Sequence, residues 1–118
     1  MTTAPTGADL RDRALNQLAD RRPALIRDIQ RAAVRLALDR DDVTADDIRA
    51  AVPIPPGIRP HVVGAAVRAL AVAGILDHAG YRRSARPVAH CRPVGVWTAG
   101  DRWYALAWLD SHPPIPAD

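Results

Sequence analysis

The spacing of hydrophobic residues along the chain predicts four helices before residue 74. In each of them apolar residues recur every three or four positions, which is the pattern of a helix with one buried face. The four segments are 9–19, 23–38, 45–52 and 60–73. The third is expected to begin with a capping box, in which Thr44 is the N-cap and Asp47 returns the hydrogen bond. Gly74 is expected to end the fourth helix in a left-handed conformation.

After Gly74 the hydrophobic period changes, and the pattern predicts a two-stranded β-hairpin. One extended segment begins at Ile75 and a second covers Val94 to Trp97. The connection between them is rich in Arg and has no apolar periodicity, so we expect a long basic tip over residues 83–92. A last short helix is predicted over residues 101–109, with Asp101 as its cap.

This order of elements is that of a winged helix-turn-helix, a mainly α (α+β) fold with N-terminal helices, a two-stranded hairpin wing and a short C-terminal helix. The helices at 45–52 and 60–73 would be the helix-turn-helix pair. We expect three parts in the chain. They are an N-terminal lead-in and helix (1–20), the winged-helix domain (21–100), and a Trp-rich C-terminal helix with a Pro-rich tail (101–118).

The charges are distributed unevenly along the chain. All 16 basic residues are Arg and all 13 acidic residues are Asp, a bias that a GC-rich coding sequence explains more simply than physics does. Residues 1–52 carry nine Arg and nine Asp, whereas residues 53–100 carry six Arg and one Asp, a net charge of +5. Because codon bias does not separate Asp from Arg along a chain, this separation indicates a polyanionic partner for the basic part.

Four stretches resemble small helix-turn-helix proteins of actinobacterial phages and prophages. They are VTADDIRAAV (43–52), GAAVRALAVAGIL (64–76), GYRRSARPVAH (80–90) and RPVGVW (92–97). The resemblance implies a DNA-binding protein in the cytoplasm of the host cell, either a phage or prophage regulator of transcription or a replication accessory.

The expected DNA contacts lie on helix 60–73 and on the wing. An α-helix fits the major groove, where Arg68 would bind guanine, Arg59 and His61 would bind phosphate or base, and the small Ala65 would allow close approach. A basic loop grips phosphates or enters the minor groove. The wing residues expected to do so are Arg82, Arg83, Ser84, Arg86, His90 and Arg92. The plainer interpretation is that these side chains form an ordinary solvated face.

The aromatic C-terminal helix leaves a second function open. Its large side chains either seal the core or form an interface with a second copy of the chain or with a host protein. The residues concerned are Trp103, Tyr104, Leu106 and Trp108. In that alternative the chain is a winged-helix protein-interaction module whose basic wing meets an acidic protein surface. DNA binding predicts a continuous basic stripe from Arg59 through Arg68 to the wing, whereas docking predicts an exposed apolar patch around Trp103 and Trp108.

We expect neither an enzyme nor a protein that holds a metal or another cofactor. His78, His90 and Cys91 lack the spacing of zinc ligands, and no carboxylate lies near His90 in sequence to orient it as a base. No apolar run approaches the ~20 residues of a membrane span, and the N-terminus lacks the pattern of a signal peptide. We therefore expect no membrane partner and a cytoplasmic location.

Overall fold

The computed structural model describes the backbone of residues 7–59, 61–84 and 92–116, and the side chains from Arg22 onward within these ranges. This part of the chain is an α+β fold with four helices and one three-stranded antiparallel sheet. The helices are α1 (Gly7–Arg40), α2 (Ala45–Ala51), α3 (Val62–Val72) and α4 (Arg102–Ser111). The strands are β1 (Val43–Thr44), β2 (Leu76–Arg83) and β3 (Pro93–Ala99), in the sheet order β1-β3-β2.

The first helix is longer than the sequence pattern predicts. We expected separate helices over 9–19 and 23–38, but α1 continues through Pro23 without interruption. A break was predicted because proline is favoured at the first position of a helix, where its missing N–H costs nothing. Inside a helix it removes one backbone hydrogen bond and crowds the carbonyl four residues earlier. The flanking residues are mostly Ala, Leu, Arg and Gln, which favour a helix on both sides of the proline. Their combined preference outweighs the single lost bond.

The start of α2 confirms the predicted capping box and adds a strand that was not predicted. The Asp47 backbone N–H donates to Thr44 Oγ1 at 3.3 Å, and the Thr44 N–H donates to Asp47 Oδ2 at 2.9 Å. Val43 and Thr44 also form β1, paired with Trp97 and Val96 of β3. Two residues are too few for a periodic signal. This short strand ties the beginning of α2 to the hairpin.

The end of α3 confirms the role predicted for Gly74. Its φ is +80°, in the left-handed region where a side chain is strained. The Ile75 N–H donates to the Leu70 carbonyl at 2.9 Å, and the Gly74 N–H donates to the Ala71 carbonyl at 3.1 Å. These two bonds make a Schellman motif, which ends the helix and turns the chain into β2.

The hydrophobic core lies between the first three helices and the sheet. From α3 it takes the predicted stripe, which is Val63, Ala66, Val67 and Leu70. The other large side chains that are fully buried are Ile29, Val34, Val43, Ile48, Ile75 and Leu76. Among the described side chains of α4, Ala105 is buried, while Trp108 and Leu109 are partly buried against the core. The last helix therefore covers the edge of the core and does not form its centre.

Two polar anchors hold α4 in place. Asp101 is its N-cap, as predicted, because Asp101 Oδ1 accepts a hydrogen bond from the Tyr104 N–H at 3.0 Å. At the other end Arg31 of α1 donates to the carbonyls of Leu109 at 2.8 Å and His112 at 2.6 Å. A guanidinium at a helix C-terminus satisfies free carbonyls and interacts favourably with the helix dipole. No helix in the described ranges is long and apolar enough to cross a lipid bilayer.

Candidate nucleic-acid interface

The outer face of α3 is exposed and consists mainly of small residues. The large apolar side chains of this helix point into the core, except that of Val72 at its last position, which is 85% exposed. Gly64, Ala65 and Ala69 remain on the outer side with Arg68. Arg68 is the one charged residue in the sequence of this helix. His61, the N-cap, is also exposed and makes no capping bond with its side chain. The predicted residues His61, Ala65 and Arg68 follow the spacing i, i+4, i+7 and thus lie along one exposed side of the helix.

A groove of about 500 Å³ separates this surface from the β-hairpin. Its walls come from α2, α3 and both strands of the hairpin. The lining residues are Ala45, Arg49, Gly64, Arg68, His78, Tyr81, Val94, Gly95 and Trp97. A Cβ placed on Gly64 would meet no atom within 4 Å, so the α3 side of the groove is open. The fold therefore brings Arg68 and the base of the hairpin to opposite sides of one groove.

The hairpin side of this groove is aromatic. The His78 ring makes edge-on contacts with Tyr81 at 4.8 Å and with Trp97 at 5.1 Å between ring centroids. The Tyr81 side chain remains 73% exposed. Aromatic rings next to guanidinium groups form surfaces on which sugars and bases of nucleic acids pack. None of these three residues is among the DNA contacts predicted from the sequence.

The same groove holds a further basic residue that the sequence analysis missed. Arg49 of α2 lies 3.7 Å from the Asp46 carboxylate, and its side chain is 22% exposed. It is three residues from Asp46 on a short helix, a spacing that is also typical of an ordinary surface ion pair. Only the approach of the hairpin to α2 places it beside Tyr81 and Trp97.

The arginines at the base of the hairpin have different environments. Arg82 Nη2 lies 2.9 Å from Asp42 Oδ2, so part of its charge is already balanced within the protein. Arg83 and Arg92 are exposed, and no ion pair within the described ranges includes either of them. Alternation along the strand puts Arg83 on the same face as Tyr81 and turns Arg82 to the other face. Arg83 is therefore better placed than Arg82 to extend the basic side of the groove.

The prediction that Ser84 binds phosphate is wrong. The residue is 4% exposed, and its hydroxyl donates to Asp46 Oδ2 at 2.7 Å. Its backbone N–H donates to the Arg92 carbonyl at 2.9 Å. Ser84 thus joins the hairpin to α2 and is not accessible to a ligand. Arg86 and His90 lie outside the described residues, so the contacts expected of them stay predictions.

The remaining predicted residues lie toward the beginning of α3. Arg59 is exposed in the preceding turn, where its carbonyl accepts a hydrogen bond from the Val62 N–H at 3.1 Å. His61 and Ala65 line a second groove, of about 350 Å³, between α3 and α1. Asp77, the acidic residue in the basic part of the chain, pairs with Thr98, far along the hairpin from Arg83. The exposed charges near the α3 groove are therefore predominantly positive.

The residues predicted for a protein interface fall into two groups. Trp103 is 82% exposed, and Tyr104 and Leu106 are also exposed on α4. Trp108 is instead partly buried against the core, and its ring stacks on His112 at 4.5 Å between centroids. Trp108 therefore follows the first of the two alternatives, in which an aromatic side chain of this helix seals the core, and it is not part of an exposed patch.

Within the described ranges no group of three His, Cys or Asp residues is arranged to hold a metal ion. Comparison of the chain with protein-family models, curated proteins and solved structures finds no match. The resemblance to phage helix-turn-helix proteins therefore remains a prediction. The function has to be inferred from the arrangement of these side chains.

Proposed function

We propose that this chain is a winged-helix protein that binds double-stranded DNA. In this proposal the outer face of α3 enters the major groove, and the β2–β3 hairpin lies along the neighbouring phosphate backbone. The observation that carries the proposal is the groove itself, in which Arg68 of α3 faces the exposed Tyr81 of the hairpin. The element order and the β1-β3-β2 sheet agree with such a domain.

The composition of α3 supports its role as the helix in the major groove. A helix enters this groove most closely when its outer side chains are small, as Gly64, Ala65 and Ala69 are. Arg68 then supplies a planar guanidinium that binds O6 and N7 of guanine in the most common specific contact. Because α3 has one such side chain, we expect the protein to prefer a short GC-containing site. Arg59 and His61, at the start of the helix, would add contacts beside that site.

The hairpin supports the proposal through charge and through rigidity. Arg83 and Arg92 offer guanidinium groups to phosphates, and Tyr81 offers a ring and a hydroxyl beside them. The Ser84–Asp46 hydrogen bond and the Arg82–Asp42 ion pair tie the hairpin to the segment that begins α2. Because hairpin and helix are held in one arrangement before binding, less conformational entropy is lost on DNA association.

Fluorescence anisotropy with mixed duplex fragments across a salt series tests the proposal. We expect log affinity to fall linearly with log salt and Arg83→Ala, which removes a phosphate contact, to reduce the slope by about 0.9. Arg68→Ala removes a base contact, so we expect it to weaken binding to GC-containing fragments by about 1–3 kcal/mol with little change in slope. Arg102→Ala is the matched control, since it removes an exposed arginine at the start of α4. The proposal fails if the wild type does not bind at low salt, or if all three variants have the same effect.

A second variant tests the hairpin by strengthening binding. Asp42→Asn removes the partner of Arg82 and one negative charge beside the hairpin. The Ser84–Asp46 hydrogen bond and the pairing of β1 with β3 still hold the hairpin in this variant. We therefore expect tighter binding and a steeper salt dependence, because the guanidinium released for a phosphate contact outweighs the one tie that is lost. Asp39→Asn is the control, as it removes an exposed aspartate from the end of α1. Equal effects of the two variants would show that only net charge matters and that the hairpin has no specific role.

A further inference from the structure

One side of α4 exposes an apolar stripe that the DNA proposal does not use. Trp103, Leu106, Ala107 and Asp110 are exposed and follow the spacing i, i+3, i+4, i+7, so they line one side of the helix. The other side faces the core, where Ala105 is buried. Full burial of a large apolar side chain contributes about 1.5–3 kcal/mol relative to exposure. An exposed stripe of this kind is typical of an interface.

A depression of about 530 Å³ lies beside the stripe, between α4 and α1. Trp103, Leu106, Ala107 and Leu109 form its apolar part, and Arg31, Arg35 and Asp110 form its charged part. Arg31 is already bound to the carbonyls at the end of α4. Arg35 and Asp110 are exposed and belong to none of the ion pairs found within the described ranges. This surface therefore combines the exposed Trp103 ring, the depression beside it, one positive charge on Arg35 and one negative charge on Asp110.

We infer that this surface binds a second copy of the same chain in a two-fold symmetric dimer. A two-fold interface uses the same patch on both subunits, so the patch must be complementary to itself. Here Trp103 of each copy enters the depression of the other, and Arg35 of each copy pairs with Asp110 of the partner subunit. A strongly acidic partner would be repelled by Asp110 and a strongly basic one by Arg35, which favours a partner that carries both charges.

The anchoring of α4 supports this inference. Asp101 caps the beginning of the helix, and Arg31 holds its end. Arg102 adds a hydrogen bond to the Leu38 carbonyl at 3.3 Å. Because the stripe and the wall of the depression are fixed relative to each other, the surface is organised before association, and little conformational entropy is lost when it binds a partner. The inference is independent of DNA binding, since no residue of the stripe lines the α3 groove.

Sedimentation velocity of the full chain over a concentration series tests the dimer. We expect the wild type to self-associate and Trp103→Ala to weaken self-association at least about tenfold, which corresponds to about 1.4 kcal/mol. Tyr104→Ala is the matched control, because it removes an exposed aromatic ring of α4 that does not line the depression. Thermal unfolding of dilute samples checks that each variant is folded.

A charge exchange tests the pairing itself. Arg35→Asp alone and Asp110→Arg alone each place like charges opposite one another, so we expect both variants to be monomeric. When the two variants are mixed, both contacts of the mixed dimer become attractive, and we expect association to return. A purely structural role of either residue does not predict this recovery.

Three outcomes would overturn the inference. These are a wild type that stays monomeric at every concentration, a Trp103→Ala variant that dimerises as well as the wild type, and a mixture of the charge variants that does not associate. If the wild type stays monomeric, the stripe would have to bind a different protein. DNA binding is measured on the same samples, so monomeric protein that binds duplex DNA would separate the failure of this inference from the failure of the proposed function.

Discussion

The two helices that carry the proposed interfaces, α3 and α4, distribute their side chains in opposite ways. α3 buries most of its large residues, among them Val63, Val67 and Leu70, and exposes mainly small ones around Arg68, with Val72 as the exception. In α4 the buried residue is the small Ala105, while Trp103 is almost fully exposed. Each helix has one buried and one exposed side. The fully buried residues of α3 are mostly large aliphatic ones, whereas α4 fully buries an alanine, partly buries Trp108 and Leu109, and exposes Trp103.

This contrast indicates different kinds of partner for the two surfaces. A surface of small residues with one guanidinium permits close approach to a rigid, charged groove, and its binding energy comes from charge and hydrogen bonds. A surface with an exposed indole gains most by burying apolar area against a shaped protein surface.

The largest change in the free energy of unfolding is expected for the buried Leu70, and it contrasts with a small change for the exposed Trp103. Leu70 is 2% exposed, so Leu70→Ala should lower the free energy of unfolding by about 2–5 kcal/mol through lost burial and a residual cavity. Trp103→Ala should change it by less than about 0.5 kcal/mol where the chain is monomeric, although Trp is the larger residue. Urea unfolding followed by far-UV circular dichroism measures both. A larger loss in the Trp103 variant would mean that α4 packs on the core in another way.

An intermediate effect is expected where α4 is attached to α1. Arg31→Ala removes two charge-assisted hydrogen bonds to the end of α4. We expect the free energy of unfolding to fall by about 1.5 kcal/mol, which is the lower end of the range for hydrogen bonds to charged groups, because Arg31 is partly exposed. Arg68→Ala, at an exposed arginine on α3, should change stability by less than about 0.5 kcal/mol. Urea unfolding gives both values, and hydrogen exchange should show faster opening of α4 in the Arg31 variant only. Equal effects of the two substitutions would contradict this attachment.

The smallest effects concern two glycines at opposite ends of α3. Gly64→Ala adds a methyl group where nothing lies within 4 Å, and in a helix it should stabilise the protein by about 0.8–1 kcal/mol. Gly74→Ala should destabilise it by about 1 kcal/mol, since φ is +80° there. Thermal unfolding distinguishes the two signs. If α3 lies close to DNA, the more stable Gly64 variant should also bind duplex DNA more weakly, and unchanged affinity would place this side of the helix away from the DNA.

Local signals explain the parts of the fold that could be read from the sequence. The capping box at Thr44, the turn at Gly74 and the N-cap at Asp101 each involve residues only a few positions apart, and all three were predicted correctly. The exposed outer face of α3 followed from the period of its buried residues. Pro23 shows where local reasoning fails, because a strong rule about one residue was outweighed by the helical preference of its neighbours.

Periodicity, capping and charge are properties of neighbouring residues, so the sequence was enough to predict α2, α3 and α4, the buried stripe of α3 and the separation of charge along the chain. Contacts between distant segments were needed to show that the Ser84 hydroxyl donates to Asp46, that Arg82 is paired with Asp42, and that Trp108 is partly buried while Trp103 is exposed. The strand β1 belongs to the same group, since its pairing with β3 joins residues more than fifty positions apart. Whether an arginine or an indole is available to a partner depends on which distant segment packs against it, and such contacts form only when the whole core assembles.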